Sequence, residues 1–232
     1  MGTNIPASRR EPAAPASSRA GAALSRGSLG LAGAVGLAAA LGCSLFLPQP
    51  TPVPEVDAVL DRFGDPQADA DAAFLDLAEA MTEDPLGVEA TALGRLDDPN
   101  PEVRLMAVYA LAETASTPAG LRALRQELDA EDPTERALAA EGLLRRGESQ
   151  ALPVLIGLLD DETPLRGAEP PVDMWGFASE LLLRYTDRDF GLSTAESIAA
   201  ASEAKPAWEQ WWQSSAETIE WNEDEQQFRS LP

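Results

Sequence analysis

The sequence predicts an all-α fold: an α-solenoid, or superhelix, of stacked antiparallel helix pairs behind an N-terminal signal or anchor segment. Three observations carry that expectation. One phrase is written twice between Asp97 and Asp161, with Arg104 and Arg136 standing 32 residues apart, each three positions after a Pro (Pro101, Pro133) that can open a helix. Within each copy, apolar residues recur at the spacing of a one-faced helix. A two-helix unit cannot bury such faces alone, so successive units must stack on one another.

Residues 1–26 are rich in Ala, Ser, Pro and Arg and have no folding pattern of their own. Residues 27–42, GSLGLAGAVGLAAALG, are uncharged and largely apolar. A basic leader followed by an apolar run is the layout of a secretory signal, so residues 1–42 are assigned to a signal peptide or signal anchor. Ala40-Leu41-Gly42-Cys43 resembles the lipobox of bacterial lipoproteins. That resemblance implies cleavage before Cys43 and a diacylglycerol on its thiol; Ala40 stands where Leu is usual and Leu41 where a small residue is usual. Ser44 implies the outer membrane, if the proteobacterial sorting rule applies.

An uncleaved anchor is the alternative. Leu29 to Leu47 is 19 residues without a charge, close to the roughly 20 that span hydrocarbon. Arg9, Arg10, Arg19 and Arg26 would then stay cytoplasmic. A simply secreted chain, a mis-assigned start and a twin-arginine signal at Arg9-Arg10 are further readings. Each membrane reading puts the domain outside the cytoplasm, in the cell envelope.

Residues 43–54 form a linker that ends in the extended spacer PQPTPVP. The repeat domain spans 55–219. Val56, Val59, Leu60 and Phe63 form a short amphipathic helix. Asp65-Pro66 opens a second, with Phe74, Leu75, Leu77, Ala78 and Met81 inward. Asp84-Pro85 opens a third, with Val88, Ala92, Leu93 and Leu96 inward. End units have one neighbour only, so this degenerate stretch is expected to cap the stack.

In the first full copy Asn100 is the N-cap, Pro101 fits the first helical position and Glu102 suits the helix dipole. Val103, Met106, Ala107, Ala110 and Leu111 then form one face. Asp132, Pro133, Leu138, Ala139, Gly142 and Leu143 repeat the plan. Thr117 caps the partner helix, with Leu121, Leu124 and Leu128 inward. Ser149 caps its counterpart, with Leu152, Leu155, Ile156 and Leu159 inward. Ala107, Ala139 and Gly142 are small enough to let helices approach closely.

DDPNPEVRLMAVYALAE (97–113), EDPTERALAAEGLLRRG (131–147) and QALPVLIGLLDD (150–161) resemble the short HEAT-like repeats of bacterial proteins. The resemblance implies stacked helical hairpins and a surface that binds another protein; it fixes the fold rather than an activity. Glu135 stands where Val is usual, which is expected to weaken that copy's inward contact. A fainter resemblance, to the bilin lyases that attach pigments to phycobiliproteins, implies an enzyme accessory and rests on the bare repeats alone.

After Asp161 the pattern breaks. Residues 162–170 form a polar loop, and Pro171 opens a helix with Val172, Met174, Trp175, Phe177, Ala178, Leu181, Leu182 and Tyr185. TDRDFGLST (186–194) followed by a Trp-x-x-Trp-Trp helix resembles the ending of many bacterial HEAT-repeat proteins. The acidic tail, 220–232, is expected to be loosely held, with Trp221 and Phe228 as late contacts.

Composition removes whole function classes. There is no His, which excludes His general bases, His-activated nucleophiles and His-ligated metals. Cys43, in the apolar leader, is the one cysteine, so the repeat domain holds no disulfide and no thiolate nucleophile. No cofactor, metal or catalytic residue is assigned. The net charge is −22; residues 1–42 hold four Arg and one Glu, a net +3, so the rest carries −25. A domain of that charge repels phosphate backbones and excludes nucleic acid as a partner.

Two sets of residues are candidates for an interaction surface. Trp208, Trp211 and Trp212 fall on one helical face. They either seal the end of the stack or form an aromatic platform for glycan or peptide, and exposure decides between these. Arg104 and Arg136 either pair with the acidic turns (Asp97-Asp98, Asp129-Glu131-Asp132, Asp160-Asp161-Glu162) as an inter-repeat ladder, or make anionic contacts in a groove. The expected function is a non-enzymatic, membrane-anchored cell-envelope scaffold whose repeats bind another protein.

Overall fold

The computed structural model describes residues 50–168 and 170–230. Residues 1–49, with the expected signal or anchor segment, most of the expected spacer and Cys43 as the expected lipidation position, lie outside the described residues. No helix among the described residues is long and apolar enough to cross a membrane.

Side-chain caps set most helix starts. α1 (Pro54–Phe63) buries Val56 and Leu60, and the Val53 N–H ties its start to Thr91 Oγ1 at 2.8 Å. α2 (Ala70–Glu83) begins later than expected. Asp65 closes a turn by accepting from the Gln67 N–H, and Asp69 is the true cap, accepting from Ala72. The inward face is therefore Ala73 and Leu77. Phe74 and Leu75 face outward, 42% and 68% exposed, against expectation. Small Ala73 fits the tight approach to the core, and Phe74 lies over Tyr109 with ring centroids 5.5 Å apart.

α3 (Pro85–Leu93), α4 (Pro101–Thr114), α5 (Pro118–Glu127) and α6 (Pro133–Leu144) start on the expected Asp84, Asn100, Thr117 and Asp132 caps, each with Pro in the first turn. α7 (Leu152–Gly157) is short and flanked by 3-10 turns at Ser149–Ala151 and Leu158–Asp160. Ser149 makes no capping bond, which corrects its expected role, but Leu152, Leu155, Ile156 and Leu159 are buried. α8 (Met174–Tyr185) starts three residues after Pro171, because Pro164 and Asp173 bridge and the Leu165 N–H donates to Val172 O at 2.8 Å. α9 (Ile198–Ser215) follows.

The helices pair as α4 with α5, α6 with α7 and α8 with α9, with α1–α3 as the first layer, and one core runs through them. The middle helices do not have the single apolar face that was expected. α4 buries Leu105, Val108 and Ala112 as well as Val103, Ala107, Ala110 and Leu111, because α3 and α6 both pack against it. Met106 and Leu138 are only partly buried. Gly142 of α6 lies so close to α4 that an added Cβ would sit 2.8 Å from Ala112 Cα.

Polar side chains lock neighbouring layers. Arg146 donates to the carbonyls of Ala112, Glu113 and Ala115, which α4 leaves unpaired at its C-terminal end. Arg145 pairs with Glu113 one layer back. Glu89, fully buried on α3, accepts from the Ser116 N–H and Oγ and from the Thr117 N–H and Oγ1, at the start of α5. Negative charge suits that helix end.

The tail is not loose. Ile219–Asn222 (β1) and Gln227–Ser230 (β2) form an antiparallel hairpin with Trp221 opposite Phe228, so the described residues are helical with one small sheet. Phe228 is fully buried, Trp221 lies against Tyr185, and Thr186 bridges to Phe228. Gly147 receives Trp221: its φ of +73° suits glycine, and a Cβ there would lie 2.7 Å from the indole. Two aromatics on one face of the hairpin bury enough apolar surface to hold it.

Candidate functional site

An open part of the stack lies around α7. The helix is short, and it ends on Gly157, whose missing side chain leaves space: a Cβ there would meet nothing within 4 Å. Two clefts flank it and share Pro153 and Gly157. The first, about 580 Å³, has Leu128, Val154 and Leu158 as its apolar part, with Arg136 and the run Asp160-Asp161-Glu162 at its rim. The second, about 290 Å³, lies toward α9 and is lined by Ile156, Lys205, Glu209 and Trp212.

Both cations in these clefts are engaged. Arg136 Nη1 donates to Ala130 O and Glu131 O, each at 2.9 Å. Lys205 Nζ lies 2.7 Å from Asp160 Oδ1 and donates to Gly157 O at 3.1 Å. Among the described residues no cation pairs with Asp161, Glu162 or Glu209.

Arg104 and Arg136 do not form the expected ladder with the acidic turns. Arg104 Nη1 donates to Asp98 O at 2.8 Å, as Arg136 does to its own preceding turn. Each guanidinium thus holds the backbone of its own unit, because carbonyls of the turn before the helix lie nearer than any carboxylate. Arg104 alone reaches the next unit, with Nε 3.8 Å from Glu135. Only Arg136 belongs to the clefts.

The closer ion pairs between units come from elsewhere. Arg166, on the loop before α8, lies 3.0 Å from Glu102, 2.7 Å from Asp132 and 3.5 Å from Glu135, so it straps that loop across the starts of α4 and α6. Glu135 is thereby a buried, paired carboxylate rather than a weakened apolar contact. Burial raises its pKa most and Asp132 adds to this, while Arg104 and Arg166 oppose. A signal for Arg166 was available: it is the one cation in the acidic stretch DDETPLRGAE. Glu89 had none, since a charged residue in an apolar helix reveals its partner only after folding.

The acidic turns also act locally. Asp98, Asp132 and Asp161 accept from the N–H two residues on, Asn100, Thr134 and Thr163, which gives one side-chain turn per unit. No group of acidic residues among the described residues could hold a metal ion.

The three tryptophans are divided. Trp208 is fully buried and Trp211 is 7% exposed; their rings meet edge to face at 5.5 Å, and Phe190 closes on Trp208 at 5.0 Å. Phe190, with φ of +48°, and Gly191 turn the chain back over this cluster. These two indoles seal the end of the stack and offer no free face to a glycan. Trp212 alone is half-exposed, in the second cleft.

Residues 88–168 match the family model of HEAT repeats. No curated protein and no solved structure matches the chain. The matched stretch runs from α3 to the loop of Arg166, so it holds all of the first cleft and none of α9. Fold and family match agree on a HEAT-like α-solenoid, an architecture that serves as an interaction scaffold.

Proposed function

We propose that the protein is a non-enzymatic scaffold of the cell envelope, held at the membrane by its N-terminal segment, whose helical stack binds another protein at the clefts beside α7. The observation that carries this reading is the pair of adjoining clefts that share Pro153 and Gly157 on the helical surface. Stacked repeats present an extended surface, and that surface is what such folds use. The basic leader, the apolar run and Cys43 support the membrane attachment, with a lipidated Cys43 as its form. The Pro-rich spacer then holds the acidic domain clear of the bilayer.

Affinity purification of the full-length chain from detergent-extracted membranes tests the reading. One stoichiometric protein partner is expected. Recovery of none, or recovery of the chain only from the soluble fraction, overturns it. Intact mass of the extracted chain settles the attachment: a chain starting at a diacylglyceryl Cys43 supports the lipid anchor, and the full-length mass supports an anchor helix.

A further inference from the structure

We infer that the groove beside α7 takes a cationic segment of the partner: an extended peptide with basic residues flanking an aliphatic one. The inference rests on the scaffold reading above and names the chemistry of its ligand. The apolar part of the first cleft, made by Leu128, Val154 and Leu158, has room for one aliphatic side chain. Gly157 lines both clefts and puts no side chain between them, since a Cβ there would meet nothing within 4 Å. An extended chain crossing Gly157 would have its aliphatic residue in the first cleft and its next residues along Trp212 and Glu209.

Charge fixes the sign of that chain. Lys205 is paired with Asp160, and Arg136, held on two backbone carbonyls by its Nη1, is outnumbered at its rim by Asp160, Asp161 and Glu162, so the groove is acidic on balance. Asp161 and Glu162 on one side and Glu209 on the other face the groove with no cation paired to them among the described residues. Lys or Arg side chains flanking the aliphatic residue would meet these carboxylates at both ends. The −25 carried by the chain beyond residue 42 adds long-range attraction for a basic partner. Anionic partners are repelled by both the near and the distant charges.

The test uses the full-length protein in detergent and a fluorescent peptide, Lys-Leu-Lys-Ala-Lys-Leu-Lys, beside a counterpart with Glu in place of Lys. Three variants are compared: Gly157→Trp, which fills the groove at a helical φ of −61°; Glu162→Lys, at the rim; and Asp71→Lys, an exposed position on α2. The basic peptide is expected to bind and the acidic one not. Gly157→Trp is expected to weaken binding about tenfold, Glu162→Lys about fivefold with a flatter salt dependence, and Asp71→Lys less than about twofold.

Equal losses at Asp71→Lys and Gly157→Trp would mean attraction to net charge alone and overturn the inference. So would displacement of the probe by a peptide of residues 1–26 at higher affinity, which would make the chain's own basic leader the occupant. If Gly157→Trp folds poorly, Glu162→Lys decides. The co-purified partner separates the two levels. A partner lost in Gly157→Trp whose contact segment is neutral or acidic overturns the cationic ligand and leaves the scaffold standing. Absence of any partner overturns the scaffold itself.

Discussion

Gly142 sets how closely the two middle helices approach, and replacing it measures how rigid that contact is. A Cβ at residue 142 would stand 2.8 Å from Ala112 Cα, 2.9 Å from its Cβ and 3.0 Å from its carbonyl oxygen. Two of these are backbone atoms of a helix packed on both sides, so no side-chain rotation relieves the overlap. In a free helix, Gly→Ala gains about 1 kcal/mol. Overpacking a dense core costs about 1–3 kcal/mol, and a clash with backbone belongs at the upper end. The net expectation for Gly142→Ala is a loss of about 2 kcal/mol. Arg146 donates to both Gly142 O and Ala112 O, so separating the helices also stretches those bonds. Gly157→Ala is the control: its Cβ meets nothing, and it should gain up to about 0.5 kcal/mol at this helix end. Urea unfolding followed by far-UV circular dichroism reads both as midpoint shifts at constant m. A Gly142→Ala variant as stable as the wild type would refute the close approach of α4 and α6.

Glu89→Ala should cost about 3 kcal/mol in the same assay, since it strands four donors at the start of α5; a loss under about 0.5 kcal/mol would show that water replaces the carboxylate. Burial raises the Glu135 and Glu141 carboxyls above their ordinary value of 4.5, with Asp132 and Glu113 adding to the respective shifts. Such groups hold protons more tightly folded than unfolded, so stability falls as pH rises through the window between 4.5 and the raised values, and is regained on acidification. The Tm should therefore rise as the pH is lowered from neutrality toward 4.5, and Glu141→Gln should flatten the rise; a Tm that falls on that approach contradicts it. Gly147→Ala, strained at φ of +73° and in collision with Trp221, should release the hairpin. Hydrogen exchange over 219–230 should then accelerate while α4 stays protected, and unchanged exchange would refute the contact.

The parts of the fold legible in the sequence are those decided locally. Asn100-Pro101, Thr117-Pro118 and Asp132-Pro133 fix helix starts within a few residues of chain, and the structure places α4, α5 and α6 there. Where two local signals competed, the outcome depended on packing. Asp65 made a turn and Asp69 the cap, and small Ala73 rather than large Phe74 faced inward because the core near α2 leaves little room. Ser149 lost its cap to a 3-10 turn. The hairpin was hidden because Trp221 and Phe228 read as stray aromatics until Gly147 and Tyr185 give them a surface.

The candidate site was half legible. Arg136 and Trp212 were singled out and line adjacent clefts, while Trp208 and Trp211 turn inward and Arg104 bonds its own turn and reaches Glu135, away from the clefts. Glu89 and Lys205 could not be assigned, and the signal at Arg166 named no partner, because each acts on a residue more than 25 positions away, whose place only the stacking fixes.

Photo-crosslinking in the cell, from a reactive side chain at Val154 in the first cleft and from one at exposed Glu79 on α2, tests most directly that the stack works through the strip beside α7. Capture of one protein from Val154, absent from Glu79 and abolished by Gly157→Trp, is the expected result. Capture that is equal from the two positions, or present only from Glu79, would contradict it.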